Sequence, residues 1–255
     1  MNTIKKNKYL FIAGCARSGT SALAQLVGNH SKIVMGMERY GHLVNKGDFK
    51  LTPQHFEPDH FMKIEPGDTF YDDFKKKHQW DDRIEEKLKE NKYIYIGDKR
   101  PKLYEVYDEL FETFPNAKVI FIYRNLYEVA SSWNKRAEEG ENWPAHKDFQ
   151  KAVYTWNNSL KNTMKALEKY PEKIMCIRYE DIFIKGVDLK PLYDWLGLEV
   201  DEYTKRQYEK TLIVSRKLQE NRKAFQLSEA QKAFCDEKAM YKLEKMLNKI
   251  KLFNN

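Results

Sequence analysis

Cysteine is scarce in this sequence of 255 residues. Its three cysteines, Cys15, Cys176 and Cys235, are too few and too scattered to form a disulfide framework or a zinc site. No apolar run approaches the ~18 residues that a transmembrane helix needs. The opening residues, MNTIKKNKYLFIAG, contain lysines but no small-residue cleavage signal, so we expect them to lead into a strand and not to direct secretion. These absences favour a cytoplasmic protein.

The composition is that of a folded chain with a moderate excess of positive charge. Hydrophobic residues make up 42% and aromatic residues 14% of the sequence, which is enough to build a core. Lys and Arg number 45 and Asp and Glu number 38, giving a formal net charge of +7. This excess favours an anionic ligand. Nucleic-acid binding is not expected, because no basic stripe with interleaved stacking aromatics accompanies the charge.

Short apolar runs rich in β-branched and aromatic residues alternate with helical patterns. The strands predicted from these runs are Tyr9–Ala13, Lys32–Met35, Tyr93–Ile96, Lys118–Tyr123 and Ile174–Arg178. The predicted helices between them are Thr20–Gly28, Asp82–Glu90, Tyr104–Phe114, Tyr127–Glu138 and Phe149–Lys169. This alternation predicts an α/β fold with a parallel sheet between two layers of helices. Ligands of such sheets bind at the carboxyl ends of the strands.

Two stretches depart from this alternation. Residues 41–77 contain prolines, glycines, histidines and aromatics without periodicity, and we predict an irregular lid or acceptor-site insert there. Residues 201–226 are rich in Lys and Arg and lead to a predicted long amphipathic helix, Ser228–Leu252. No repeat, low-complexity tract or long linker divides the chain. We therefore predict one domain over residues 1–255 with a helical C-terminal region from about residue 201.

The loop after the first predicted strand has the spacing of a phosphate-binding P-loop. Residues 14–21 fit G-x-x-x-x-G-K-S/T, except that Thr20 stands where the lysine should be. Backbone N–H groups and the helix N-terminus can still surround an anion, and Arg17 supplies a cation at another position. A kinase or ATPase would need an acidic Mg²⁺ ligand after a neighbouring strand, and Glu38 has that position. A Mg-dependent nucleotide or small-molecule kinase with a degenerate P-loop is therefore one alternative.

The same loop resembles the 5′-phosphosulfate loop of the sulfotransferase superfamily that uses 3′-phosphoadenosine 5′-phosphosulfate (PAPS). That loop has a proline or arginine, a lysine or arginine, then a serine, glycine and threonine followed by a second hydroxyl residue. The matching residues are Arg17, Ser18, Gly19, Thr20 and Ser21, whereas Ala16 departs from the pattern. The resemblance implies a P-loop nucleoside-triphosphate-hydrolase-like fold with these residues on the donor.

Later segments extend the resemblance from about Lys8 to Gly197. The segment FIYRNLYEVASSW contains Arg124 and, eight residues later, Ser132, the spacing of the family's 3′-phosphate pair. Residues 97–101, GDKRP, resemble the family's GEKTP-type segment. The segment EKIMCIRYEDI resembles the family strand that ends in R-Y-E-D, which commonly follows a helix bearing a tryptophan, here Trp156. The likeness is closest to the bacterial and the glycan- or tyrosine-modifying branches.

The resemblance implies in-line transfer of a sulfuryl group from PAPS, with 3′,5′-adenosine bisphosphate (PAP) as product and no metal. In the glycan- and tyrosine-modifying branch a glutamate after the second strand is the base, which assigns this role to Glu38; His42 is the alternative. We assign Lys99 to the oxygen that bridges sulfur and the leaving phosphate, because a flexible point charge suits a moving charge. Tyr179 is expected to contact the nucleotide. Arg216 and Lys217 resemble a downstream Arg-Lys pair, but their surroundings match poorly and they receive no role.

Three functions remain open at this point. The first is a PAPS-dependent sulfotransferase, and the second is the kinase described above. The third is a protein that binds the nucleotide without turnover. The acceptor is expected to be a hydroxyl or amine of a small molecule, lipid or glycan, and the aromatics of residues 41–77 suit either an acceptor wall or a folded lid. The sequence does not give the oligomeric state.

Overall fold

The computed structural model describes residues 8–63, 81–140, 143–222 and 226–252. Within them a five-stranded parallel sheet has the strand order β2-β5-β1-β6-β7, and a small antiparallel pair, β3 with β4, lies apart from it. In chain order the strands are β1 (Lys8–Gly14), β2 (Ile33–Met37), β3 (Val44–Asn45), β4 (Asp48–Phe49), β5 (Tyr95–Lys99), β6 (Ala117–Tyr123) and β7 (Ile174–Arg178).

Helices flank the parallel sheet, which confirms the predicted α/β class. The helices are α1 (Thr20–Gly28), α2 (Pro58–Met62), α3 (Asp81–Glu90), α4 (Tyr107–Thr113), α5 (Leu126–Glu139), α6 (Phe149–Lys169), α7 (Lys190–Leu196), α8 (Glu202–Arg222), α9 (Glu229–Lys238) and α10 (Tyr241–Ile250). The strands are continuous apolar runs because both faces of the sheet are covered. Residues 10–13 of β1, for example, are completely buried.

Strand β1 lies at the point where the direction of the connections reverses. The chain passes from β1 to β2 and β5 on one side, then crosses to β6 and β7 on the other. Ile12 of β1 pairs with Lys99 of β5, and Gly14 pairs with Ile122 of β6. The residues that follow these strands therefore meet at one edge, which is where open α/β sheets bind their ligands.

The first part of the predicted insert packs on the sheet. Two 3-10 turns, the β3–β4 hairpin and α2 occupy residues 41–62, and Phe56 is only 1% exposed. The Phe56 ring lies edge-to-face against Tyr9, Phe11 and Phe114, with ring centres 5.6–5.7 Å apart. This part of the insert is thus held by core packing. Residues 64–77, which include the aromatics Phe70, Tyr71 and Phe74, lie outside the described residues.

The prediction of one helix over Ser228–Leu252 is wrong. The segment forms two helices, α9 and α10, separated at Ala239 and Met240. The side chain of Asn157 in α6 enters this break: its Nδ2 donates to the carbonyl of Lys238 at 2.8 Å, and its Oδ1 accepts from the backbone N–H of Met240 at 2.8 Å. A side-chain amide thus replaces the helical hydrogen bonds that the break removes.

Replacing Asn157 with alanine is expected to lower the free energy of unfolding by about 1–3 kcal/mol, because two backbone groups lose their partner. Urea denaturation measures this change. The exposed neighbour Asn158 is the matched control, and Asn158→Ala should stay within about 0.5 kcal/mol of the parent. Equal stability of the two variants would show that the amide clamp is not needed for the break.

Candidate active site

Glu38 and Lys99, the predicted base and the predicted leaving-group cation, form an ion pair at the sheet edge. The Lys99 ammonium donates to Oε1 of Glu38; the lysine side chain is 3% exposed and that of the glutamate 25%. Strand pairing produces this contact, since Lys99 lies beside Met37 of β2 and Ile12 of β1. The cation is therefore enclosed beside β1, while the carboxylate can be reached from solvent.

The backbone at Glu38 has a left-handed conformation, with φ of +59°. The Glu38 N–H donates to the carbonyl of Lys99 at 2.9 Å, which holds this turn against β5. A non-glycine residue in this region costs of order 1 kcal/mol or more, and such strain is concentrated at functional sites. The turn directs Glu38 toward Lys99 immediately after β2 ends.

Asp98 supports the strand end from inside the protein. Its carboxylate accepts from the backbone N–H of Lys99 at 2.9 Å and from that of Tyr40 at 3.3 Å. Burial raises the pKa of Asp98 to about 6, although the backbone hydrogen bonds and the Lys99 charge act in the opposite direction. Sequence reasoning did not assign Asp98 a role; its place in the GDKRP segment was the available signal.

The loop between β1 and α1 has the features of an anion cradle. Gly19 has φ of +94°, and a Cβ at this position would come within 2.4 Å of the Tyr179 ring, so only glycine fits. Among the described residues, no side chain caps the first turn of α1. The hydroxyl of Ser18 is buried and has no hydrogen-bond partner among the described residues. Thr20 and Ser21 begin the helix. These unfilled backbone and hydroxyl donors suit a phosphate or sulfate group.

Arg17 connects this loop to the second predicted phosphate motif. Its Nε donates to the Ser132 hydroxyl of α5 at 3.0 Å, across 115 positions of sequence. The indole of Trp133, the next residue, donates to the carbonyl of Ala16 at 2.9 Å. Two adjacent residues of α5 thus hold the P-loop. The sequence assigned Arg17 and Ser132 to opposite ends of the donor, and the structure brings them into direct contact.

Arg124 lies at the carboxyl end of β6, as predicted, and is 4% exposed. Its guanidinium carbon is 4.2 Å from the centre of the Tyr179 ring, and one of its nitrogens is 2.8 Å from Oε2 of Glu128. Tyr123 pairs with Arg178, so Arg124 and Tyr179 leave neighbouring strands at the same level. The stacked ring and the carboxylate fix the orientation of the guanidinium. The contact between Arg124 and Glu128 was not predicted from the sequence.

A cavity of about 770 Å³ lies beside Glu128, the partner of this arginine. Glu128 and Ser131 of α5 line it, together with Arg216 of α8. Arg216 also donates to the carbonyl of Ile184 at 2.9 Å and to that of Lys185 at 3.1 Å, which anchors α8 on the π-helical turn after β7. Lys217, its neighbour, is exposed.

Arg17 has φ of +74°. Two substitutions can therefore separate the stability cost of its backbone conformation from the contribution of its side chain to anion binding. Arg17→Gly is expected to be about 1 kcal/mol more stable than Arg17→Ala, because glycine adopts this conformation without strain. Both variants should lose stabilisation by anionic nucleotides, since both lack the cation. Thermal unfolding with and without PAP measures the two effects.

Asn91, which has φ of +49°, provides a reference pair at the end of α3. Asn91→Gly should likewise be more stable than Asn91→Ala, and PAP should still stabilise both variants. If Arg17→Ala retained that response, the loop arginine would have no part in anion binding.

Within the described residues, no group of three or more His, Cys, Asp or Glu side chains could hold a metal ion. The same part of the chain has no helix with the length and apolar character needed to cross a membrane.

Comparison with known proteins identifies the fold and the family. Two solved structures are similar: the sulfotransferase domain from the curacin biosynthetic pathway (20% identity, 78% of this chain and 77% of that one, TM-score 0.50) and sulfotransferase STF9 from Mycobacterium avium (13%, 81% and 68%, TM-score 0.50). At these identities they share the fold. A search of curated proteins gives no significant match. A model described as the sulfotransferase family matches residues 10–202, which is most of the sequence. The chain therefore belongs to the sulfotransferase family.

Proposed function

We propose that this protein transfers a sulfuryl group from PAPS to a hydroxyl or amine of a small-molecule, lipid or glycan acceptor. The observation that carries the proposal is the Arg17–Ser132 hydrogen bond, which joins the two phosphate motifs beside the Glu38–Lys99 pair. When bound, PAPS supplies the sulfuryl group, and its 5′-phosphate is the leaving group, so that PAP is the product.

The residues present fit such a donor. The loop amides and the hydroxyls of Ser18, Thr20 and Ser21 would receive the 5′-phosphosulfate, with Arg17 as countercharge. Arg124 and Ser132 would hold the 3′-phosphate, since a guanidinium donates to phosphate in a bidentate manner. The Tyr179 ring holds the Arg124 guanidinium in its orientation and packs against Gly19 of the loop.

The catalytic roles follow from the exposure of the paired groups. Lys99, enclosed beside β1, places a fixed positive charge where negative charge develops on the leaving oxygen, and preorganised charge of this kind is usually the largest catalytic contribution. Glu38, one-quarter exposed, accepts the proton of the incoming hydroxyl at a carboxylate oxygen. The kinase alternative is disfavoured by the loop itself, because Thr20 stands where the P-loop lysine should be.

Turnover with PAPS tests this proposal. The protein is incubated with PAPS and a panel of hydroxyl compounds in the presence of EDTA, and formation of PAP is followed by chromatography. Acceptor-dependent PAP release supports the proposal. Absence of turnover together with tight PAP binding would instead favour a protein that retains the nucleotide site without activity. A cytoplasmic location and the single-domain organisation stay predictions from the sequence.

A further inference from the structure

Arg100 directly follows Lys99, and its side chain makes a longer hydrogen bond than those of Arg39 and Arg124 at this edge. Its backbone N–H donates to the carbonyl of Ile12 at 3.0 Å, which fixes its position at the end of β5. Among the described residues its guanidinium makes one hydrogen bond, to Oδ1 of Asn45 at 3.4 Å, and its Nε is buried without a partner. A buried guanidinium N–H that lacks an acceptor is costly, because it has given up its hydration.

The neighbouring arginines make shorter hydrogen bonds than the 3.4 Å contact of Arg100. Arg39 donates to the carbonyls of Phe61 and Lys63 at 2.6 and 2.9 Å. Arg124 has the carboxylate of Glu128 at 2.8 Å. In the described part of the chain no carboxylate lies within ion-pair distance of Arg100, although the negative charges of Glu38, Asp98 and Glu105 act on it from further away. Burial lowers the pKa of Arg100, and those three charges only partly oppose this shift.

The location of Arg100 is on the acceptor side of the proposed site. Its side chain reaches Asn45, which belongs to the β3–β4 hairpin of the insert. The donor motifs follow β1 and β6, whereas Arg100 follows β5, next to the pair formed by Glu38 and Lys99. A group bound between β5 and the hairpin would therefore be close to the base and separate from the donor phosphates.

We propose that Arg100, with Asn45, forms a subsite for a carboxylate on the acceptor, so that the enzyme sulfates hydroxyl compounds that also carry an acid group. This inference rests on the proposed function. The guanidinium fork matches the two oxygens of a carboxylate, and the unpartnered Nε is one of its donors. The Asn45 amide nitrogen already donates to the carbonyl of His42 at 2.8 Å, which holds its oxygen toward Arg100.

The test compares matched acids and neutral compounds. The probes are 4-hydroxybenzoate with 4-hydroxybenzamide, glucuronate with glucose, and 3-hydroxybutyrate with butane-1,3-diol. Calorimetric binding to the enzyme saturated with PAP, and kcat/KM with PAPS where turnover occurs, are measured for each pair. We expect the acid of at least one pair to be preferred by about tenfold or more, as a charge-assisted bidentate contact would give.

Arg100→Gln should abolish that preference, and Arg100→Lys should keep part of it. The exposed neighbour Lys102, changed to glutamine, is the control and should leave the preference intact. PAP affinity should be the same in all four proteins. If no acid binds more tightly than its neutral partner, or if Arg100→Gln leaves the preference unchanged, the subsite is refuted.

Two further outcomes separate this inference from the function on which it rests. If Arg100→Gln weakens PAP binding instead, Arg100 is a donor ligand and the acceptor subsite is refuted. If the parent protein itself does not bind PAP, the proposed function fails before the subsite is tested.

Discussion

Glu38→Gln is expected to lower kcat by about 10²–10⁴-fold, the usual contribution of a general base, while PAP binding stays nearly unchanged. Glutamine keeps an oxygen that can accept the hydrogen bond from Lys99, so the shape of the site is retained. What it loses is the negative charge that accepts the acceptor's proton. Initial rates at saturating PAPS measure the first effect, and calorimetry with PAP measures the second.

The control for Glu38→Gln is Glu112→Gln. Glu112 is exposed on α4, which precedes β6 and ends near the opposite edge of the sheet. This variant removes the same charge from the protein and should keep the parent rate. Full activity in Glu38→Gln would remove the base role and direct attention to His42, the alternative four residues later.

Lys99→Met is expected to lower kcat by about 10²–10³-fold, comparable to the loss of one preorganised donor at a developing negative charge. Methionine fills the same enclosed space without the ammonium, so loss of packing does not account for the effect. Lys92→Met is the matched control, because Lys92 is exposed ahead of β5. An unchanged kcat in Lys99→Met would contradict the leaving-group assignment.

Since Glu38 and Lys99 are in contact, their effects should not multiply. In the double variant Glu38→Gln/Lys99→Met, the rate loss should be smaller than the product of the two single losses, as is found for residues that act as a unit. Strictly multiplicative losses would mean that the ion pair is incidental to catalysis.

The sequence was sufficient to predict the parallel α/β sheet and the residues at its carboxyl edge. Strand periodicity located Gly14, Glu38, Lys99 and Arg124 at or just after the carboxyl ends of the strands, where the sheet rule expects a ligand. It did not predict which of these residues would touch, because contacts depend on strand order and register. The Glu38–Lys99 pair exists because β2 and β1 both border β5.

Other features depend on distant partners and leave no local signal. The break between α9 and α10 falls within a continuous amphipathic pattern, and its cause is Asn157, more than 80 positions earlier. Likewise, Arg17 was assigned to the 5′-phosphosulfate from its motif alone. Its bond to Ser132 requires α5 to pack on the loop, which Trp133 achieves through the carbonyl of Ala16.

The measurement that tests the donor site most directly is thermal stabilisation by PAP and by ATP, each with and without Mg²⁺. A ligand that binds only the native state adds about 2.7 kcal/mol at 100 times its Kd, which moves the melting point visibly. We expect a metal-independent shift with PAP that Arg124→Ala abolishes, each protein being compared with its own ligand-free melting point. A shift that required ATP with Mg²⁺ would contradict the proposed donor site, and the roles given to Arg124, Ser132 and Glu38 would then be withdrawn.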